Sequence, residues 1–287
     1  MRYESLMINS LKFLMVMAAV VMVSACSSTK KAGEESAEVV EISETESAKA
    51  LYDEANEKLD KKNYRGAIQT FQEVERQYPY SKWATKAQML AAYSAYQEDS
   101  YDEAILALER FVDLHPGNED VDYAYYLRSL AYYEQISDVA RDQAITKQAL
   151  QSFDTLITRF PNSEYTRDAK LKRDLTLDHL AGKEMEIGRY YLNRNEVNAA
   201  INRFRTVVRD YQTTTHVPEA LHRLVESYLT LGLKGEATRV AAVLGHNYPG
   251  SKWYQDSYKI LDTNSREKIL KDRSFIDKTV DSVFRAG

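Results

Sequence analysis

Between residues 48 and 250 the apolar positions recur at helical spacing, and they fall into five matching frames. Each frame holds an alanine, an apolar residue four positions later and a helix-ending position eight beyond that. The frames are Ala67/Phe71/Pro79, Ala104/Leu108/Pro116, Ala149/Phe153/Pro161, Ala200/Phe204/Gln212 and Ala237/Ala241/Pro249. A small alanine lets two helices approach closely, the larger residue one turn on fills the gap on the same face, and proline ends the helix. A preceding helix in each frame is marked by Leu51/Ala55, Ala91/Ala92, Ala124/Leu127, Gly188/Tyr191 and Leu224/Tyr228, and the phrases YPYSKW, FPNSEY and YPGSKW repeat at the links.

This spacing is that of the second helix and terminal proline of a tetratricopeptide repeat (TPR), a 34-residue helix–turn–helix unit. It predicts an all-α solenoid of about five helix–turn–helix repeats over residues 48–250. Successive frame ends lie 37, 45, 51 and 37 residues apart, so the third and fourth units carry additional sequence. Residues 137–147 (SDVARDQAITK) read as a polar loop inside the third unit, and residues 169–183 as a lengthened helix opening the fourth. Residues 251–287 place Trp253, Tyr258, Leu261, Ile269, Ile276 and Val280 among charges, the pattern of amphipathic helices capping an array.

The first residues carry a different pattern. Residues 13–25 (FLMVMAAVVMVSA) are uncharged and come after Arg2 and Lys12. Thirteen residues are too few to span a bilayer, which needs about 20, and they suit the apolar region of a signal peptide over residues 1–25, with Met7 as a second possible start. Val23-Ser24-Ala25-Cys26 resembles the bacterial lipobox, and Cys26 is the chain's one cysteine. The resemblance implies diacylglycerol on the Cys26 sulfur and an acyl group on its amine, with no other cofactor. An ordinary secretory signal with an incidental cysteine is the plainer alternative. Ser27 after the cysteine points, by the same resemblance, to the outer membrane, with the protein on its periplasmic face. Residues 26–47, small and acidic after the cysteine, read as a flexible tether.

Composition narrows the chemistry. With 44% apolar and 28% charged residues but only 10 Gly and 5 Pro, the chain suits a helical fold, and a net charge of −5 offers no general field for nucleic acid. His115, His179, His216, His222 and His246 form no metal-ligand spacing, and no nucleophile elbow or phosphate-binding glycine run occurs, so a non-enzymatic protein is expected.

Ten of the 21 tyrosines fall between Tyr78 and Tyr133. The frame directs Tyr52, Met89, Tyr93, Tyr96 and Tyr125 toward the concave surface of first helices, and with Tyr78 they form a candidate groove for a peptide bearing aromatic side chains. The alternative is that these rings pack between helices. A second concentration, Arg189, Arg194, Arg203, Arg205 and Arg209, falls on the fourth unit, with Arg203 and Arg205 flanking the inward Phe204. It reads as an interface for an acidic partner or as a solvated face paired with Glu196 and Asp210.

The lipobox, the short tether and the five units, with NYRGAIQTFQEVERQYPYS in the first and LAGKEMEIGRYYLNRNEVNAAINRF leading through the fourth, resemble the BamD family of outer-membrane-protein assembly lipoproteins over residues 48–245. That resemblance implies a subunit of the β-barrel assembly machine of a Gram-negative bacterium. The N-terminal repeats would recognise unfolded outer-membrane β-barrel proteins, with Tyr78 as a matching position. The C-terminal repeats would bind the periplasmic POTRA domains of BamA, with Arg203 as the matching position, and BamC and BamE would be further partners. A different TPR lipoprotein, serving pilus secretin assembly or a peptidoglycan enzyme, is the alternative.

Overall fold

The computed structural model describes residues 29–139 and 141–271, with side chains over 44–139 and 141–269. The signal segment, Cys26 and residues 272–287 lie outside the described residues. Those described form twelve α-helices and no strand: α1 (Thr29–Asp60), α2 (Tyr64–Gln77), α3 (Lys82–Gln97), α4 (Tyr101–Leu114), α5 (Val121–Glu134), α6 (Ala144–Arg159), α7 (Thr166–Asn193), α8 (Val197–Asp210), α9 (Val217–Thr230), α10 (Lys234–Asn247), α11 (Lys252–Ile260) and α12 (Thr263–Lys271). None of them is long and apolar enough to cross a membrane.

Within the units the helices pair as the frames require: α1 with α2, α5 with α6, α7 with α8 and α9 with α10. Ala67, Phe71, Ala104, Leu108, Ala149, Phe153, Ala200, Phe204, Ala237 and Ala241 all have zero solvent exposure. Each buried phenylalanine contributes about 1.5–3 kcal/mol relative to an exposed one.

Two turn designs recur. In four repeats the residue five ahead of the frame alanine has a positive φ: Lys62 (59°), Asp99 (60°), Asn195 (60°) and Gly232 (75°). In each, the N–H of the next residue reaches back five residues, as in Asn63 to Lys58 O (2.9 Å) and Leu233 to Tyr228 O (2.8 Å), while the left-handed residue itself bonds three back. This is the Schellman closure, which satisfies the last carbonyls of the first helix and turns the chain into the second. The third repeat lacks it, because residues 135–139 and 141–143 are non-helical there; the polar loop expected over 137–147 is corrected at its end, since α6 already begins at Ala144.

Between repeats, Tyr78, His115, Phe160, Tyr211 and Tyr248 cap the second helices. Their carbonyls accept from Ser81, Asn118, Ser163, Thr214 and Ser251 at 3.0–3.1 Å. Proline occupies the next position in four of the five turns; Gln212 stands there in the fourth, and the turn still closes.

The chain divides into two compact units, up to Ser94 and from Ala95, with the boundary inside α3. In the first, Ala55, Ala67, Phe71, Val74, Ala87 and Ala91 form the core, with Tyr52 and Trp83 against it. One expectation is corrected here: the segment read as a flexible tether is helical from Thr29 onward as part of α1. Its Ala, Glu and Lys content carries strong helix propensity without needing burial. Residues 44–47 are exposed, and Ala48 is fully buried.

In the second unit, α7 packs on α6 and α8, and α9 on α8, α10 and α11. The core of its last two repeats runs from Ala181 to Ile269 and takes in Leu261 of the cap. The lengthened opening of the fourth repeat is α7 itself, 28 residues long. Within the stretch 251–287, expected to cap the array, α11 and α12 are described; residues 272–287 lie outside the described residues.

Candidate interaction surfaces

The fourth repeat presents its arginines on more than one face. Arg203 on α8 donates from Nη1 to Glu184 Oε2 on α7 at 3.1 Å, and its side chain keeps 42% exposure. Arg189 on α7 donates from Nη1 to Glu219 Oε1 on α9 at 3.2 Å. Glu184 and Arg189 are five residues apart on α7, about 140° around the helix, so the two pairs occupy different faces. Arg205, exposed, stands about 200° from Arg203 around α8. The expected single arginine face is therefore divided, because residues flanking a buried ring emerge on its two sides.

Arg194 lies in the turn after α7, where it donates to Glu196 Oε1 and to the Tyr190 hydroxyl, both at 3.1 Å, with its guanidinium 5.5 Å from the Tyr190 ring centre. Arg209 forks onto its neighbour Asp210 at 2.8 and 2.9 Å, and this bond holds the Asp210 carboxyl below its usual range. Pairing with Glu196 and Asp210 thus occurs for Arg194 and Arg209, while Arg203 and Arg189 reach across to other helices.

The expected aromatic groove falls partly on one unit and partly on the other: Tyr52, Tyr78, Met89 and Tyr93 lie in the first, Tyr96 and Tyr125 in the second. Tyr52 is half-buried, 5.0 Å from the Trp83 ring and 5.8 Å from Phe71. Met89 is only 6% exposed, so it belongs to the interior and not to an open surface. Tyr78, the cap of α2, and Tyr93 are half-buried. Tyr80, which the repeat spacing does not single out, is fully exposed in the following link.

In the second unit Tyr125 is corrected from groove to core. It is 4% exposed, with the guanidiniums of Arg128 and Arg159 at 4.9 and 5.0 Å from its ring, Phe160 at 5.3 Å, and its hydroxyl accepting from Arg159. Tyr96 is half-buried and meets Tyr101 edge-on at 5.7 Å. Tyr126 donates to Asp168 at 2.6 Å and stacks on Tyr165, and burial with that bond raises its phenol well above the ordinary value. Ring contacts are thus made by Tyr52, Tyr96, Tyr125 and Tyr126, of which only Tyr125 is fully interior, while Tyr78 and Tyr93 are half-buried.

One arrangement has little signature in the sequence. Glu219 Oε1 accepts from both Arg189 and Arg223, and Arg223 Nη1 bonds Glu226 at 2.8 Å. His222, 5% exposed, lies 3.3 Å from Glu226 and 2.8 Å from Ser257 Oγ, and its ring is 5.2 Å from Trp253. The chain of contacts ties α7, α9 and α11 together. Glu219, His222, Arg223 and Glu226 stand three or four residues apart on α9, which is the part visible from spacing. Among the described residues no group of three or more His, Cys, Asp or Glu side chains is placed to hold a metal.

The family model described as an outer membrane lipoprotein, YfiO, matches residues 44–244. The outer membrane protein assembly factor BamD of Caulobacter vibrioides is 50% identical over 214 residues, covering 75% of this chain and 70% of that protein. BamD of Rickettsia prowazekii is 49% identical over 211 residues, covering 74% and 84%. Among solved structures, the P58(IPK) TPR domain is similar with a TM-score of 0.42 and 14% identity, covering 91% of this chain and 70% of that one. The chain belongs to the BamD family of outer membrane protein assembly factors.

Proposed function

We propose that this protein is a lipid-anchored, non-enzymatic scaffold of the outer-membrane β-barrel assembly complex. Its C-terminal repeats dock on the periplasmic POTRA domains of BamA, and its N-terminal repeats take up unfolded barrel proteins. BamC and BamE are its further partners, and the anchor is the acylated Cys26. The observation that carries the docking half is Arg203: its guanidinium is oriented by Glu184 while its side chain stays 42% exposed on α8. An arginine held in place and still open presents further donors in a fixed fork to a carboxylate on a partner. For the substrate half, the half-buried rings of Tyr78 and Tyr93 support contact with an aromatic-bearing peptide, since a tyrosine gives contact area at small entropic cost.

The test is binding of Arg203→Glu to the purified POTRA domains at low salt. Where the arginine is buried by the partner, the loss is about 2–5 kcal/mol, and a charge-reversed partner recovers part of it. Wild-type affinity of the variant removes Arg203 from the interface.

A further inference from the structure

We propose that the open face of α7 is a docking groove for an extended segment of a partner protein carrying a lysine or arginine beside leucine-sized side chains. Leu171, Leu175, Asp178, Gly182, Glu186 and Arg189 succeed each other at intervals of three or four residues, so they share one face of the helix for about 27 Å. Leu171 and Leu175 are 60% and 58% exposed. Scattered exposed leucines are ordinary, but these two stand on successive turns and lead into a cavity. From Leu175 to Arg189 the face opens into a cleft of about 480 Å³, walled by Asp138 and Val139 on one side and by His216 on another. One wall and the floor come from departures from the regular repeat, since the loop after α5 belongs to the long third unit and the added turns of α7 to the long fourth; His216, the N-cap of α9, supplies the other wall from an ordinary link.

Charge selects the occupant. The cleft carries the carboxylates of Asp138, Asp178 and Glu186 against one guanidinium, that of Arg189, which is already engaged by Glu219. Asp178 holds the wall in place by accepting from the Thr215 N–H at 2.8 Å and hydroxyl at 2.7 Å, with His216 Nε2 at 3.6 Å. Glu186 keeps 46% of its side chain exposed at the cleft; its Oε2 accepts no hydrogen bond and is ion-paired only loosely with Lys183 Nζ, at 3.6 Å. The exposed part of the Glu186 carboxylate has room for a donor, and an entering ammonium or guanidinium supplies a charge-assisted one. An anionic segment meets a lining of its own sign. Glu184, which orients Arg203, stands about 200° from Glu186 around α7, so this groove does not rest on the proposed BamA contact.

The test is fluorescence anisotropy with the full chain and labelled 15-residue peptides of glycine and serine that carry two leucines and one arginine at varied spacing. Companion peptides replace the arginine by lysine, glutamine or glutamate. The arginine and lysine peptides should bind at least tenfold more tightly than the glutamate peptide. Leu175→Ser should weaken the binding of the arginine and lysine peptides tenfold or more, and Glu186→Lys should reverse the preference for arginine over glutamate. Both variants are checked for wild-type helical circular dichroism; if Glu186→Lys does not fold, Leu175→Ser still decides. Affinity that ignores the charge of the peptide, binding unaffected by Leu175→Ser, or no binding by any peptide overturns the proposal.

Discussion

In the fourth repeat, the position sixteen residues ahead of the buried Phe204 is Gly188; in the fifth, the corresponding pair is Val225 and Ala241. Both pairs are buried in one continuous core, yet bulk has moved from the second helix to the first. A methyl group at Gly188 would stand 2.4 Å from Cε1 of Phe204, so the glycine is there to admit the ring. The frame thus fixes the combined volume of two facing positions and leaves open which helix supplies it. The fifth repeat, with less bulk at this crossing, is tied onward to α11. A methyl at Gly245 would stand 2.5 Å from the Tyr254 ring, and His222 bonds Ser257. The fourth repeat closes on itself through a ring, and the fifth is closed by the capping helix α11.

The sharpest way to break this comparison is to remove the ring. Phe204→Ala is expected to cost about 3–5 kcal/mol, with the void left beside a glycine that cannot fill it. Val225→Ala in the fifth repeat should cost clearly less, since it removes two methyl groups instead of a ring. Urea denaturation of both variants measures this, and equal losses would mean that the two crossings hold their bulk alike.

A smaller effect is expected at Gly188→Ala. In an exposed helix this change gains up to about 1 kcal/mol through propensity, whereas overpacking a closed site costs about 1–3 kcal/mol. Phe204 has zero exposure and no room to withdraw, so the clash should win and the variant should be less stable. Phe204→Leu in the same chain should recover part of the loss. A Gly188→Ala protein more stable than wild type would show that the contact is loose.

The repeat frame was legible because alanine, ring and proline each have one physical task at a fixed spacing. Gly188 was legible as a first-helix position, but its ring partner was not, since only the fold shows which faces meet. Tyr125 and Met89 were misplaced for a similar reason: their own helix directs them toward one side, and it is Arg159 and Phe160 of the following helix end that enclose Tyr125. Salt pairs one turn apart, such as Glu219 with Arg223, can be read from sequence. Arg203 with Glu184, nineteen residues apart and on different helices, cannot. The helix over residues 29–47 was hidden by the absence of apolar periodicity, although its residue types favour helix without it.

The smallest expected effect separates the fifth repeat from the fourth by acid. The hydrogen bond from His222, with a smaller contribution from that of Arg223, lowers the Glu226 carboxyl from its usual value near 4.5 to about 2. A carboxyl that ionises more readily in the folded state contributes stability that is fully present above about pH 4.5 and is lost as pH falls toward 2. Glu226→Gln should therefore be less stable than wild type at pH 7 and should lose less between pH 4.5 and 2. Other lowered carboxyls, among them Asp256 and Asp262 beyond this repeat, leave part of the slope in place. Partial solvent exposure of Glu226 keeps the effect modest. Trp253, 5.2 Å from His222, reports on this corner, and with Trp83→Phe it is the chain's single tryptophan. Its fluorescence should change in wild type as Glu226 takes up its proton toward pH 2, ahead of any loss of helical signal, and this step should be missing from the Glu226→Gln background. Superimposable titrations would show that the α9–α11 contact is held by Trp253 and Tyr254 packing alone.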